Sequence, residues 1–281
     1  MSIRIVTDST CDLPADLIQR HRITVIPLYI NIGDQGYLDG VEISREEFYR
    51  RLPEIEETPT TATPGIDTIL DQYRALQGEG ADQIISIHIS RALSATVDVV
   101  RTAAKDAPLP VEVIDSGQLS MGVGFLVLHA ARAAEAGKSV PQITRELQEL
   151  GDRAHVFAAL DTLDYLRRSG RMNSIVAGIG SLLHVKPILK MHLGSPTSEL
   201  VRTRQRAVEK LLEKIRDLKP IQEIALVHSN ALEEAEALWD LAKTHLPDWE
   251  EPPFAVNVTP VLGAHIGPGA IGFALIRARD P

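Results

Sequence analysis

Cys11 is the only cysteine among 281 residues, which excludes an internal disulfide and fits a reducing compartment. Aromatic residues make up only 4%, so core packing has to rest on Leu, Ile, Val and Ala. Excess positive charge is lacking too. A formal charge of −9 argues against nucleic acid as a partner, because phosphate binding needs clustered Lys and Arg. No uncharged apolar run reaches the ~20 residues of a membrane span. The N-terminus enters a strand directly, without the basic-then-apolar pattern of a signal peptide. No P-loop, no Gly-x-Gly-x-x-Gly after the first strand and no metal-binding Cys/His spacing occur. Hydrophobic residues nevertheless reach 44%, enough for a sizeable core. The expectation is a soluble, cytoplasmic, metal-free α/β protein.

Ile3-Arg4-Ile5-Val6 reads as a buried strand, Thr7 to Asp12 as a polar loop, and Pro14 as a helix start. Strands and helices then alternate. Ile23 to Ile30 is a strand whose Pro27 places it at an edge or bulge. Gly33 to Gly40 suits a hairpin turn, and Ser44-Arg45-Glu46-Glu47 has the form of a capping box. Pro53 to Pro64 reads as a loop, Ile84 to Ile89 and Val111 to Ile114 as strands, and Gln118 to Ala136 as a long helix. The pattern predicts a mainly parallel, Rossmann-like sheet covered on both faces over residues 1–152. A smaller, mixed α/β domain is expected over 153–281, packed closely against the first. Its parts are a strand from Val156 to Leu160, a short helix from Leu163 to Arg168 and a Gly-containing helix from Ile175 to Leu183. Two strands around a turn at Leu193 to Ser198 follow, and then final strands at Phe254 to Val261 and Ala270 to Arg277. Gly263 to Gly269 is expected as the loop between these last two.

Strand ends in such a sheet are where ligands bind. Here they carry hydroxyls and cations: Thr7 to Asp12, Thr58 to Thr63, Ser90 to Thr96, Asp115-Ser116, Ser169-Gly170-Arg171, Arg202-Thr203-Arg204 and the loop around His265. Thr, Ser, His and Arg together suit a carboxylate or a phosphate. Each hydroxyl, taken alone, also suits a helix cap. Cys11 could be a thiolate nucleophile at a helix start or an inert core residue. Asp8 and Asp12 are too few oxygens for a hard cation. His265 stands between Gly263 and Gly267, where the backbone can approach a ligand closely.

In order along the chain, Ile5-Val6-Thr7-Asp8-Ser9-Thr10-Cys11-Asp12-Leu13-Pro14, Thr61-Ala62-Thr63-Pro64, Leu93-Ser94-Ala95-Thr96 and Val113-Ile114-Asp115-Ser116 resemble signatures of the DegV family. So do Leu163 to Arg171, Lys186-Pro187-Ile188-Leu189, Val201 to Arg204 and His265-Ile266-Gly267-Pro268-Gly269. The resemblance implies two α/β domains with a long-chain fatty acid between them, its acyl chain buried. It further implies that a separate ATP-binding kinase subunit phosphorylates the presented carboxylate, so that the chain is a lipid-binding subunit without catalysis of its own. Thr61, Ser94, Arg171 and His265 match the head-group residues, with Asp8, Ser9 and Thr63 supporting them. Arg202 lies in a segment expected to dock the kinase. No cofactor other than the bound fatty acid is implied; the only contact with a membrane would be transient. Ala62, Thr63, Ala95 and Ser169 depart from the family pattern, none of them at a position assigned to direct contact except as support.

Two other readings share these residues. One is a stand-alone hydrolase or transferase using Ser9, Cys11 or Ser94 with His265 as base, although no Gly-x-Ser-x-Gly elbow is present. The other is a lipid-binding regulatory protein that signals by contact.

Overall fold

The computed structural model describes residues 2–172, 185–246 and 254–279. The helix expected over 175–183 lies outside the described residues. From the N-terminus, β1 (Ile3–Asp8) runs into a short 3-10 turn (Ser9–Cys11) and α1 (Ala15–Arg20). Then come β2 (Thr24–Ile26), β3 (Tyr29–Ile32), β4 (Gln35–Leu38), α2 (Arg45–Arg51), β5 (Thr60–Ala62) and α3 (Ile66–Gly78). β6 (Gln83–His88), α4 (Thr96–Ala104), β7 (Val111–Asp115), α5 (Met121–Glu135) and α6 (Val140–Gly151) follow. The remaining elements are β8 (Ala154–Ala159), α7 (Asp164–Arg168), β9 (Lys186–His192), β10 (Ser195–Val201), α8 (Arg204–Asp217), β11 (Ile221–His228), α9 (Leu232–Ala242), β12 (Phe254–Asn257), α10 (Pro260–Ile266) and β13 (Ile271–Arg277).

The chain is a mixed α/β fold, with three sheets among the described residues. The parallel sheet has the order β2-β1-β6-β7, as the βα alternation predicts. The C-terminal sheet is mixed, with the order β10-β9-β8-β13-β11-β12. At six strands it is the larger sheet, although its part of the chain is the shorter. A third, antiparallel sheet, β4-β3-β5, is not foreseen from sequence. It exists because Pro27 divides the expected strand at 23–30. Proline has no N–H for a ladder, so β2 stays in the parallel sheet and β3 starts a new one.

Two further expectations are corrected. The turn between β9 and β10 is only Leu193-Gly194, both at positive φ, as a tight two-residue hairpin requires. The strand expected over 254–261 stops at Asn257, and most of the glycine-rich segment is helix α10. The local chemistry is that of a helix: Thr259 at the N-cap, Pro260 in the first turn, and Gly267 at φ 71° ending it with an N–H bond to the Gly263 carbonyl of 2.8 Å.

Side chains alternate along the strands and so divide the core into layers. On β1 and β6, Val6 and Ile84 face α3 and α4, while Ile5, Ile85 and Ile87 face α5. On β13, Ile271, Phe273 and Leu275 face α8 and α9, while Ala274 and Ile276 face α5. Helix α5 is therefore the middle of five layers, α-β-α-β-α. Eleven of its fifteen residues are buried, which explains a helix apolar nearly all round. Gly122 and Gly124 let it approach both sides. A Cβ at Gly122 would lie 2.7 Å from Val156 Cγ2, and one at Gly124 would lie 2.7 Å from the Cys11 carbonyl oxygen.

Candidate functional site

At the carboxyl edge of the parallel sheet, a cavity of about 600 Å³ is bounded by both parts of the chain. That size is ordinary for a small-molecule pocket. One region is aliphatic. Val156, Ala158 and Leu160 on and after β8, with Leu189 and Met191 on β9, share the face of the mixed sheet turned toward it. Leu28, Ile89 and Leu119 close it from the other part. Sequence reading names none of these aliphatic lining residues, because strand alternation says only that one face is apolar, not what lies on it.

The polar lining is Thr10, Thr61, Thr63, Arg91, Ser94, Arg171 and His265, together with Lys190. Thr61, Ser94, Arg171 and His265, four residues from separate segments, thus meet at one cavity. Thr61 arrives on β5, an edge strand paired with β3 opposite Ile30, where a plain loop is expected. His265 arrives on α10, and its Nε2 lies 3.1 Å from Thr61 Oγ1. Burial, with Arg171 adding to it, pushes the His265 imidazole down to about 4, so it is neutral at neutral pH. Its Nδ1 is buried without a hydrogen-bond partner among the described residues. Arg171 donates to the Ser169 carbonyl at 2.8 Å, using one of its five donors. Ser94 Oγ lies 2.8 Å from Thr96 Oγ1 and accepts from the Thr96 N–H at 3.3 Å. With Thr96 as donor, the Ser94 hydroxyl keeps its own proton for an acceptor in the cavity. Two hydroxyls, one neutral imidazole and one cation make a donor set for a carboxylate, which has only acceptors.

Asp8 and Ser9 do not line the cavity; they sit behind it. Asp8 is fully buried and accepts from the Thr10 N–H (3.0 Å) and hydroxyl, from the Ile89 N–H (3.1 Å) and from His88 Nδ1 (2.9 Å). Burial by itself would raise its carboxyl, but these bonds and the His88 charge outweigh it and hold it below the usual carboxylate range. It thereby anchors Thr10 and Ile89, both of which line the cavity. Ser9 Oγ accepts from the Leu28 N–H at 3.2 Å. Thr63 lines the cavity. Arg202 is exposed and away from it.

The nucleophile–base pairs of a hydrolase are not formed. Cys11 is 1% exposed, and burial pushes its thiol up to about 12. The imidazole of His265 bonds Thr61, and the hydroxyl of Ser94 bonds Thr96. Ser86, His88 and Asp8 do form a Ser–His–Asp chain, with Ser86 Oγ 2.7 Å from His88 Nε2. All three are fully buried, and Tyr73 donates to Ser86 at 3.0 Å, so substrate has no approach.

The two glycines around His265 have another purpose than ligand approach. A Cβ on Gly263 would meet Tyr49 Oη at 2.5 Å, and one on Gly267 would meet the Tyr165 ring at 2.2 Å. They admit aromatic rings from α2 and α7. Sequence reading covers Thr10 and Arg91 only within longer polar segments and gives neither a role of its own, and it does not foresee that Asp12, Asp39, Arg45 and Thr259 form one buried polar group. In that group burial pushes Asp39 up to about 6, against the pull of the neighbouring Ser9 and Thr259 hydroxyls. Thr259-Pro260 with Gly267 is a readable helix signal, but nothing local pairs Thr259 with two distant aspartates.

Among the described residues no helix is long and apolar enough to cross a membrane, and no cluster of three metal-ligating side chains occurs. The DegV family model matches residues 2–278. A DegV domain-containing protein of Streptomyces coelicolor is 38% identical over 274 residues, 96% of each chain. The solved structure of a fatty-acid-binding DegV family protein from Thermus thermophilus is similar with a TM-score of 0.89 at 34% identity, covering 99% of this chain and 100% of that one. A stearic-acid-binding protein from Eubacterium ventriosum is similar with a TM-score of 0.89 at 26% identity, covering 99% and 98%. With a family model matched from end to end and full-length relatives of this identity, the chain belongs to the DegV family.

Proposed function

We propose that the chain binds a long-chain fatty acid, with its tail in the aliphatic part of the cavity and its carboxylate at Thr61, Ser94, Arg171 and His265. The observation that carries this reading is one cavity lined both by an aliphatic wall and by anion donors from separate segments. Burial of the tail contributes about 0.8 kcal/mol per CH₂. Affinity then comes mainly from the tail and orientation from the head. Fatty-acid binding by the related Thermus thermophilus and Eubacterium ventriosum proteins supports the same reading.

The second half of the proposal concerns use of the ligand. Phosphoryl transfer to the presented carboxylate is assigned to a separate ATP-dependent kinase subunit, in keeping with a sequence that carries no phosphate-binding loop motif. The carboxylate oxygen attacks the γ-phosphorus, ADP leaves, and the acyl phosphate stays in the cavity. Exposed Arg202 is assigned to docking that subunit. The setting is the cytoplasm, where ATP is at hand.

Mass spectrometry of lipid extracted from gently purified protein tests the first half. About one long-chain fatty acid per chain is expected. Protein that is consistently empty and takes up no added fatty acid overturns it. The second half is tested separately, by co-purification of an ATP-binding partner and formation of acyl phosphate from loaded protein. Loaded protein that captures no such partner would leave a lipid-binding role by contact as the better reading.

A further inference from the structure

We propose that Thr259, gripped by Asp12 and Asp39, is a positioning residue that sets the orientation of His265 in the cavity. Thr259 is 1% exposed and stands at the N-terminus of α10. A threonine there ordinarily caps its own helix by accepting from an N–H one turn on. This one makes no such bond. Its hydroxyl donates instead to the Asp39 carboxylate, and its N–H donates to Asp12 Oδ1 at 2.8 Å. Both partners come from the N-terminal part of the chain, Asp12 from the loop after β1 and Asp39 from the position just after β4. Asp12 is itself held by the Ser120 hydroxyl at 2.6 Å and by Arg45 Nη2 at 3.3 Å. Arg45 also donates to the Asn257 carbonyl, two residues before Thr259.

Buried carboxylates are costly, and well-packed apolar residues in their place are often neutral or stabilising. Stability alone therefore gives no reason for two of them here. What they provide is direction, because each bond fixes where α10 begins. The rest of the helix is fixed by shape, with Tyr49 seated at Gly263 and the Tyr165 ring at Gly267. His265 lies six residues beyond Thr259, so a tilt of the helix start is carried about 9 Å along the axis to the imidazole. There a small displacement breaks the 3.1 Å contact with Thr61. The grip thus couples the alignment of the two parts of the chain to the geometry of the head-group site. The effect on ligand rests on the fatty-acid reading above; the effect on His265 does not.

The test compares Thr259→Val, which deletes the hydroxyl at nearly constant volume, with Thr259→Ser, which keeps it. In ligand-free protein, NMR titration of the His265 imidazole is expected to move toward an exposed histidine in the valine variant, by about half a pH unit or more, and to stay at the wild-type value in the serine variant. Affinity for parinaric acid, a fluorescent fatty acid, is expected to fall about tenfold with valine and to recover with serine. A folded Thr259→Val protein with unchanged titration and unchanged affinity overturns the proposal. Should the valine variant not fold, Thr259→Ala is read in the same two assays. A wild-type chain that takes up no parinaric acid would sink the fatty-acid reading alone, and the titration would then decide this one.

Discussion

His265 is the side chain whose protonation ties the site to stability. Its folded value of about 4 lies below the ordinary 6.5. Between those values the unfolded chain takes up a proton that the folded chain refuses. The contribution of this group is complete above about pH 6.5 and is lost as pH falls toward 4. Urea denaturation should show wild type losing about 2 kcal/mol more than His265→Asn between pH 7 and 5. Equal losses would mean that the imidazole is not held neutral. His155, pushed down to about 4 by burial and its neighbours His192 and Arg277, adds to acid sensitivity with the same sign in both proteins. Cys11 gives the opposite kind of expectation. Its thiol is buried and unionised, so a thiol reagent should label it only in denatured protein. Cys11→Ser should bind parinaric acid like wild type while losing about 1–2 kcal/mol of stability to its buried hydroxyl. Loss of binding in a folded Cys11→Ser protein would return the loop after β1 to the centre of the mechanism.

At the scale of elements, α5 reverses the usual helix-propensity rule. Alanine is favoured over glycine by about 1 kcal/mol in a helix interior. At Gly124, however, the added Cβ would sit 2.7 Å from the Cys11 carbonyl oxygen, and backbone gives way poorly. Overpacking of this kind costs about 1–3 kcal/mol, so Gly124→Ala should be net destabilising. Gly78, at the end of α3, has open space around its Cβ position, and Gly78→Ala should be neutral or slightly stabilising. Denaturant midpoints of the pair check this; a stabilised Gly124→Ala would mean that α5 is less tightly held between the sheets. Helix α10 follows the same logic. Its glycines are needed for neighbouring rings, and those rings hold the helix that carries His265.

For the whole molecule, the layered core decides how the parts depend on each other. We propose units at 1–152 and 153–281, because strands up to Asp115 build the parallel and the antiparallel sheet and strands from Ala154 build the mixed six-stranded sheet. They are not independent in packing. Val156, Val227 and Ile276 belong to the same apolar cluster as Ile5, Ile85 and α5. Separating the units would expose that face of the six-stranded sheet. A single unfolding transition is therefore expected. Both tryptophans lie after residue 153, and Trp239 packs against the core of the second unit, so its fluorescence reports on that unit while far-UV circular dichroism reports on both. The two curves should coincide in urea. A fluorescence transition displaced from the dichroism transition would show that the units unfold separately.

Elements and site residues were legible in the sequence where the information is local. Apolar runs before polar loops marked β1, β6, β7 and β8. The order of short motifs brought Thr61, Ser94, Arg171 and His265 into one proposed site, and all four line one cavity. Cap and turn chemistry also held at Ser44, whose hydroxyl accepts from the Glu47 N–H. What failed was local too, but ambiguous. Pro27 and the Thr259-to-Gly267 segment carry signals that permit either an interrupted strand or a new element. Only partners far along the chain chose between them: β5 for β3, and Tyr49, Tyr165, Asp12 and Asp39 for α10. The aliphatic wall of the cavity and the grip on Thr259 were likewise decided by tertiary structure. Sequence determined which groups were available to bind a carboxylate and a chain. Packing of α5 between two sheets, with α10 seated against both parts, decided where those groups meet, because contacts between residues a hundred or more apart leave no pattern in either neighbourhood.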